Sequence, residues 1–188
     1  MALLPQDIVV ALKLVAKGDA SRRWTYAELS EELSSSPSQV FRSVRRAETA
    51  HLLSAPQVPT MRPLDGAPVG ESGVFLFPIK NNLREFLIHG VKYAFPVERG
   101  GPTRGVPTAE AAAPLIAHFG SGFAMPPVWP YPAGSTRGLA FSPLSKNAPE
   151  AALRDPKLYE LLTLVDAIRE GRAREREFAI RALSARLE

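Results

Sequence analysis

The chain has 188 residues, of which 45% are hydrophobic, with a net charge of +4 and no cysteine. This length allows one large or two small globular domains, and the lack of cysteine excludes disulfides, thiolate zinc sites and cysteine nucleophiles. The apolar runs are far shorter than the roughly 18 residues of a membrane-spanning helix, and no basic segment precedes the N-terminal apolar residues, so we expect a cytoplasmic protein without a signal peptide.

The first predicted helix covers residues 5–17. Ile8, Leu12 and Val15 recur at helical spacing, and Gly18 is a typical stop. We expect this helix to pack across the next two helices and to complete a three-helix core. The first quarter of the chain is also rich in basic residues, and local positive charge attracts a polyanion. These residues are Lys13, Lys17, Arg22, Arg23, Arg42, Arg45 and Arg46.

Two short helices around a polar turn are predicted over residues 24–53. Thr25 and Glu28 have the spacing of a capping box for the first helix, and Ser36 and Gln39 have the same spacing at the second. Three consecutive serines end the first helix, because their hydroxyl groups compete for backbone hydrogen bonds. Two caps so close together predict a helix-turn-helix.

The second of these helices, residues 37–50, has two chemically different faces. One face is an apolar stripe of Val40, Val44 and Ala47. The opposite face is polar and basic and comprises Ser38, Gln39, Arg42, Arg45 and Arg46. Arginine pairs with guanine edges or phosphates, glutamine reads adenine and serine donates to phosphate, as a helix in the DNA major groove requires. The alternative is a solvated basic face on an ordinary helical bundle.

The residues that flank these helices have two interpretations each. Phe41 is expected to pack on the preceding helix rather than to touch a thymine methyl group. Arg22 and Arg23 precede the first cap, where they either contact phosphates or lie in a solvated linker. Trp24 is expected to anchor the core rather than to act as a wedge in DNA.

The motif TYAELSEELSSSPSQVFRSVRRAETAHLL resembles the winged helix-turn-helix of bacterial transcriptional regulators of the MarR-like type, over roughly the first third of the chain. The resemblance implies binding of double-stranded DNA, and we expect a homodimer on a palindromic site. In those families a short hairpin forms the wing. Here residues 54–73 are longer and rich in proline and glycine, and they form either a wing or a linker. The expected DNA contacts are Arg22, Arg23, Thr25, Ser36, Ser38, Gln39, Arg42, Arg45 and Arg46.

Short elements are predicted in the middle of the chain. Residues 73–79 form an apolar strand that Pro78 restricts to a sheet edge. A helix follows, capped by Asn81 or Asn82 and ended by Pro96.

Residues 97–107 predict a flexible, glycine-rich loop, which lacks the GxxxxGK[ST] pattern of a phosphate-binding loop. Thr108 is expected to cap a short helix over residues 109–118. Residues 126–144 then predict two short strands that pair around a turn. Trp129, Tyr131 and Arg137 lie near this turn, where they line a pocket or docking surface, or else pack in the core.

The C-terminal region predicts two amphipathic helices. Asp155 caps the first helix, Pro156 opens it, and it continues to residue 170. The second helix covers residues 172–187, after a turn at Gly171. Such a helical hairpin either forms a dimer interface or folds back on its own domain.

No motif for catalysis or for metal binding is present. His51, His89 and His118 are scattered without metal-ligand spacing, and no nucleophile or kinase signature occurs. We therefore expect neither an enzyme nor a bound metal or cofactor.

The expected fold is α+β and mostly α, with a winged helix-turn-helix domain at residues 1–72 and a smaller α+β domain at residues 73–188 that ends in the helical hairpin. The expected function is that of a sequence-specific DNA-binding transcriptional regulator, a repressor. The rest of the chain resembles the C-terminal regions of bacterial regulators that are in part antitoxin-like. The alternative function is therefore an antitoxin or adaptor that binds a cognate toxin or other partner protein and represses its own operon.

Overall fold

A computed structural model describes residues 2–18, 24–54 and 76–188. The protein is α+β and mostly helical. The N-terminal part contains α1 (Pro5–Lys17), α2 (Tyr26–Glu32), α3 (Pro37–Thr49) and β1 (Leu53–Ser54). After β2 (Phe77–Pro78), a helix runs through α4 (Lys80–Glu85), a π-helical turn (Phe86–Gly90) and α5 (Val91–Ala94). The next part contains β3 (Arg99–Pro107), a 3₁₀ turn (Ala109–Ala111), α6 (Leu115–Phe119), β4 (Pro127–Pro130) and β5 (Thr136–Phe141). The chain ends with three helices, α7 (Ala148–Arg154), α8 (Pro156–Glu170) and α9 (Ala173–Arg186).

The three N-terminal helices form a compact group, as predicted. α1 packs against α3, and α3 packs against α2. Gly18 ends α1 with a positive φ of 82°, a conformation that suits glycine. Trp24 and Leu53 are buried below this group, and the indole Nε1 of Trp24 donates to the carbonyl oxygen of Leu76 at 3.1 Å. Trp24 therefore anchors the core, as the sequence predicts.

β1 and β2 form a small antiparallel ladder directly after α3. Leu53 lies opposite Pro78, and Ser54 lies opposite Phe77. The segment that joins these strands lies outside the described residues, and so does the predicted boundary between residues 72 and 73. Whether this segment is a wing or a linker, and the division into domains, therefore stay predictions.

α8 is the central helix of the C-terminal part. Residues 161–169 are all buried, and α8 packs against α1, α7 and α9. Asp155 caps it as predicted, since its carboxylate accepts the backbone N–H groups of Lys157 and Leu158. The contact with α1 joins both halves of the chain into one buried apolar cluster.

β3, β4 and β5 form a small sheet that closes on itself. β3 is antiparallel to both of the other strands, and β4 and β5 pair with each other in parallel. Gly105 and Gly134 allow this closure, because a Cβ atom on Gly134 would lie only 2.3 Å from the backbone of Gly105. The two short strands predicted over residues 126–144 are present as β4 and β5 and pair with each other, but they pair in parallel, and β3 also pairs with both.

Three expectations for this part of the chain are wrong. The predicted loop at residues 97–107 is the strand β3, which two neighbouring strands hold. Asn81 and Asn82 do not cap the helix, because it already begins at Lys80. Thr108 makes no side-chain cap, and its hydroxyl instead donates to Asp166 at 2.8 Å.

Candidate nucleic-acid interface

The connection between α2 and α3 is a sharp turn. Its second residue, Ser34, has a positive φ of 49°, which is uncommon for a residue with a side chain. Backbone N–H groups of Ser34 and Ser35 donate to the carbonyl oxygens of Glu31 and Ser30. The C-terminal end of α2 is thus tied into the turn, and this fixes the direction in which α3 leaves it.

The start of α3 is held by the predicted capping box. The hydroxyl of Ser36 accepts the backbone N–H of Gln39 at 3.3 Å, and Oε1 of Gln39 accepts the backbone N–H of Ser36 at 3.3 Å. Pro37 occupies the first turn, where no amide hydrogen is needed. At α2, Thr25 accepts the backbone N–H of Glu28 at 3.0 Å. Thr25 and Ser36 are both exposed, but their oxygen atoms serve first as helix caps.

One face of α3 is open to solvent. Taking about 100° per residue, the exposed side chains after Pro37 fall within a sector about 100° wide, on the side away from Val40, Val44 and Ala47. The buried stripe is the predicted one. The exposed residues of this sector are Ser38, Phe41, Arg42, Arg45 and Thr49, and Pro37 is exposed in the first turn.

Arg42 and Arg45 supply the positive charge of this face. Nε of Arg42 donates to the carbonyl oxygen of Ser38 at 3.3 Å, which directs the guanidinium toward the start of the helix. Arg45 pairs with Glu48 at 2.7 Å, and its side chain remains 59% exposed. Exposed pairs of this kind contribute at most about 1 kcal/mol, so Arg45 is available to an external anion.

Arg46 does not belong to this face, and its prediction as a DNA contact is wrong. Its Nε and one terminal nitrogen donate to the two carboxylate oxygens of Asp7 at 2.8 and 2.7 Å. Asp7 is fully buried, and the side chain of Arg46 is only 9% exposed. The hydrogen bonds to Asp7 raise the pKa of Arg46. This guanidinium therefore stays charged and holds α3 on α1.

Gln39 lies outside the exposed sector, next to its edge. It is half-buried, and its Oε1 accepts hydrogen bonds from the hydroxyl groups of Ser35 and Ser36. We expected Gln39 to face DNA bases, but its amide oxygen serves the helix cap instead. The predicted DNA contacts Arg22 and Arg23 lie outside the described residues.

A shallow groove lies between α3 and the start of α2. Its volume is about 450 Å³, and it is lined by Tyr26, Pro37, Ser38, Phe41 and Arg42. The rings of Tyr26 and Phe41 meet edge to face with centroids 5.3 Å apart, so Phe41 contacts the preceding helix as predicted. This contact covers only part of the ring, since Phe41 stays 49% exposed. Burial raises the pKa of the Tyr26 phenol, which therefore stays neutral at physiological pH.

Two acidic residues are buried in the structure, although the sequence patterns predicted no role for them. Asp7 is fully buried in the first turn of α1, where its carboxylate also accepts the backbone N–H of Leu4 at 2.8 Å. An acid in a first turn is typical of helix capping, so the sequence contained no signal of its pairing with Arg46. Asp166 lies in the middle of α8, where it accepts hydrogen bonds from Thr108, Trp129 and Arg169. Burial raises the pKa of Asp166, and the charge of Arg169 opposes this shift.

Asp166 and its partners form a structural cluster. Trp129 is only 1% exposed, so it packs in the core. Arg169 uses its remaining donors on the carbonyl oxygens of Phe95, Pro96 and Ser142. These bonds tie α8 to the end of α5 and to the end of β5.

Within residues 2–18, 24–54 and 76–188, no group of three or more histidine or acidic side chains is arranged to hold a metal ion. Over the same ranges, no helix has both the length and the apolar character needed to cross a membrane.

Comparisons with protein-family models, with curated proteins and with solved structures found no match to the chain.

Proposed function

We propose that the protein is a DNA-binding transcriptional regulator, a repressor, that inserts α3 into the major groove. The observation that carries this proposal is the exposed face of α3, on which the guanidinium groups of Arg42 and Arg45 and the hydroxyl of Ser38 share one sector. An α-helix fits the major groove, and these side chains donate hydrogen bonds to base edges and phosphates.

The surroundings of α3 support this assignment. α1 and α2 pack on its apolar side, so the basic sector is presented outward by a rigid support. The antiparallel pair β1–β2 follows α3 at once, where a winged helix-turn-helix has the base of its wing. Such a regulator acts on bacterial DNA, and we expect it in the cytoplasm.

The arginines of α3 are assigned separate roles. Arg42 lies near the start of the helix, beside Ser38, and is expected to read a guanine edge. Arg45 lies one turn later and is expected to contact a phosphate. Arg42→Ala should relax base preference by about 1–3 kcal/mol at one position. Arg45→Ala should weaken binding to all sequences and reduce the slope of log affinity against log salt by about one unit.

The test begins with selection of bound duplexes from a pool of genomic fragments. Affinities of the selected duplexes are then measured by fluorescence anisotropy over a salt series. Arg181→Ala is the matched control, because Arg181 is an exposed arginine on α9. If Arg42→Ala and Arg45→Ala bind like Arg181→Ala, the proposal is wrong.

A homodimer is part of the proposal. Two copies of α3 would occupy half-sites about 34–36 Å apart, so the selected duplexes should be palindromic. Light scattering of the free protein should give twice the mass of one chain. A monomer that selects single half-sites would contradict the dimer but leave DNA binding intact.

The second candidate function is that of an antitoxin or adaptor that docks a partner protein through its C-terminal part. It is favoured by three apolar side chains that are each 37% exposed near α6, namely Phe119, Phe123 and Met125. Copurification with the product of a neighbouring gene, lost in the double variant Phe123→Ser/Met125→Ser, would support this function. If the double variant still copurifies with the partner, the partner does not dock on this apolar surface.

A further inference from the structure

Phe41 is an unusual member of the exposed face of α3. It is 49% exposed, although its neighbours in the sector are polar or charged. Exposed apolar area of this size is more favourable when a ligand covers it, because burial contributes about 25 cal/mol per Å². A partner that covers this ring would present an apolar group next to hydrogen-bonding groups.

The ring of Phe41 is held by a chain of aromatic contacts. Trp24, which is buried in the core, meets Tyr26 edge to face with centroids 5.4 Å apart, and Tyr26 meets Phe41 at 5.3 Å. One edge of the Phe41 ring is thus fixed by the core, and the remainder faces the groove. A ring held in this way loses little conformational entropy when a ligand covers it.

Arg42 lies beside this ring on the same groove. Its Nε is bonded to the carbonyl oxygen of Ser38, so the terminal nitrogens lie toward Ser38 and remain free for a ligand within the described part of the chain. The groove therefore combines an apolar wall, the ring of Phe41, with a bidentate hydrogen-bond donor, the guanidinium of Arg42. In the major groove, thymine presents a C5 methyl group, and guanine presents the acceptor pair N7 and O6.

We propose that Phe41 is a specificity residue that packs on the methyl group of a thymine adjacent to the guanine read by Arg42. This inference rests on the proposed function and adds the base step that the protein selects. The contact covers one methyl group, so its loss should weaken binding about fourfold, the equivalent of one buried methylene.

The test uses a duplex selected from the genomic pool, in which each thymine is replaced in turn by deoxyuridine. Deoxyuridine lacks only the methyl group. Wild-type protein should bind about fourfold more weakly when the thymine beside the guanine is replaced. Phe41→Ala should bind both duplexes equally, and circular dichroism should show that it keeps its helical content.

Tyr93→Ala is the matched control, because Tyr93 is a 75% exposed aromatic residue on α5, outside the groove. It should keep the wild-type preference for thymine. If Phe41→Ala does not fold, Phe41→Leu replaces it and should reduce the preference. The comparison of the two duplexes with wild-type protein requires no variant.

Equal binding of thymine and deoxyuridine duplexes by wild-type protein at every position would overturn the inference. So would a thymine preference that Phe41→Ala retains. If Arg42→Ala still relaxes base preference in either case, the proposed function stands and only the role of Phe41 fails. A pool that yields no bound duplex, or an Arg42→Ala variant that binds as wild type, would instead defeat the proposed function.

Discussion

At the scale of single residues, α3 shows how a distant partner decides the role of a side chain. Arg42, Arg45 and Arg46 look equivalent in the sequence, and the first two are exposed. Arg46 is buried because Asp7, 39 positions earlier, lies opposite it when α1 packs on α3. Helical spacing placed Arg46 at the edge of the basic face, but it contained no information about this contact.

The pair of Arg46 and Asp7 leads to a prediction about stability. Arg46→Ala should lower the free energy of unfolding by about 3–5 kcal/mol, because it leaves the carboxylate of Asp7 buried without its cation. Urea unfolding followed by circular dichroism measures this change. Arg45→Ala is the control and should cost less than about 1 kcal/mol, since its pair with Glu48 is exposed. Equal losses for the two variants would show that Arg46 is not buried as described.

At the scale of elements, the helices were predictable and β3 was not. Ser36 with Gln39, and Asp155 with Pro156, mark the starts of α3 and α8 by short-range hydrogen bonds that depend only on neighbouring residues. β3 has the sequence RGGPTRGVP, which has no alternation of apolar and polar residues. It is a strand because β4 and β5 pair with it on both edges, and such long-range contacts leave no local pattern.

The closed sheet predicts that a glycine-to-alanine substitution has different effects on stability at two positions. Gly134→Ala should destabilise the protein by about 1–3 kcal/mol or more, since its new methyl group would lie 2.3 Å from the backbone of Gly105. Gly101→Ala, in β3, should be tolerated, because a Cβ atom there has no neighbour within 4 Å. Thermal unfolding of the two variants measures the difference. A Gly134→Ala variant as stable as Gly101→Ala would mean that the strands do not approach so closely.

At the scale of the whole molecule, polar contacts join the N-terminal helices to the C-terminal part. Nζ of Lys13 in α1 donates to the carboxylate of Asp155, the cap of α8, at 2.7 Å. The side-chain amide of Asn147 donates to the carbonyl oxygen of Ser34 in the turn before α3, at 2.5 Å. The position of α3 therefore depends on segments more than a hundred residues away in sequence.

The contact of Asp155 with Lys13 predicts a dependence of stability on pH. Burial raises the pKa of Asp155, but the hydrogen bond from Lys13 and those from the backbone N–H groups of Leu158 and Lys157 outweigh it, so the pKa lies below its ordinary value. This carboxylate thus stabilises the folded state fully above its unfolded pKa of about 3.9. The contribution is lost as pH falls through the lower, folded value.

Asp155→Asn tests this dependence, because asparagine still caps a helix but carries no charge. Urea unfolding at pH 5 and at pH 2.5 gives the loss of unfolding free energy on acidification. We expect the loss to be smaller for Asp155→Asn than for the wild type. Equal losses would show that Asp155 is not held as a carboxylate by Lys13.

The two tryptophans of the chain are distributed in a way that is useful for spectroscopy. Trp24 donates to the backbone beside β2, and Trp129 donates to Asp166 in the middle of α8. Each indole is at most 3% exposed, so each should emit at short wavelength while its surroundings remain folded. Replacing either tryptophan with phenylalanine would leave a single indole. Selective excitation of that indole would then show when its half of the chain loses structure, and comparison of the two variants would give the order.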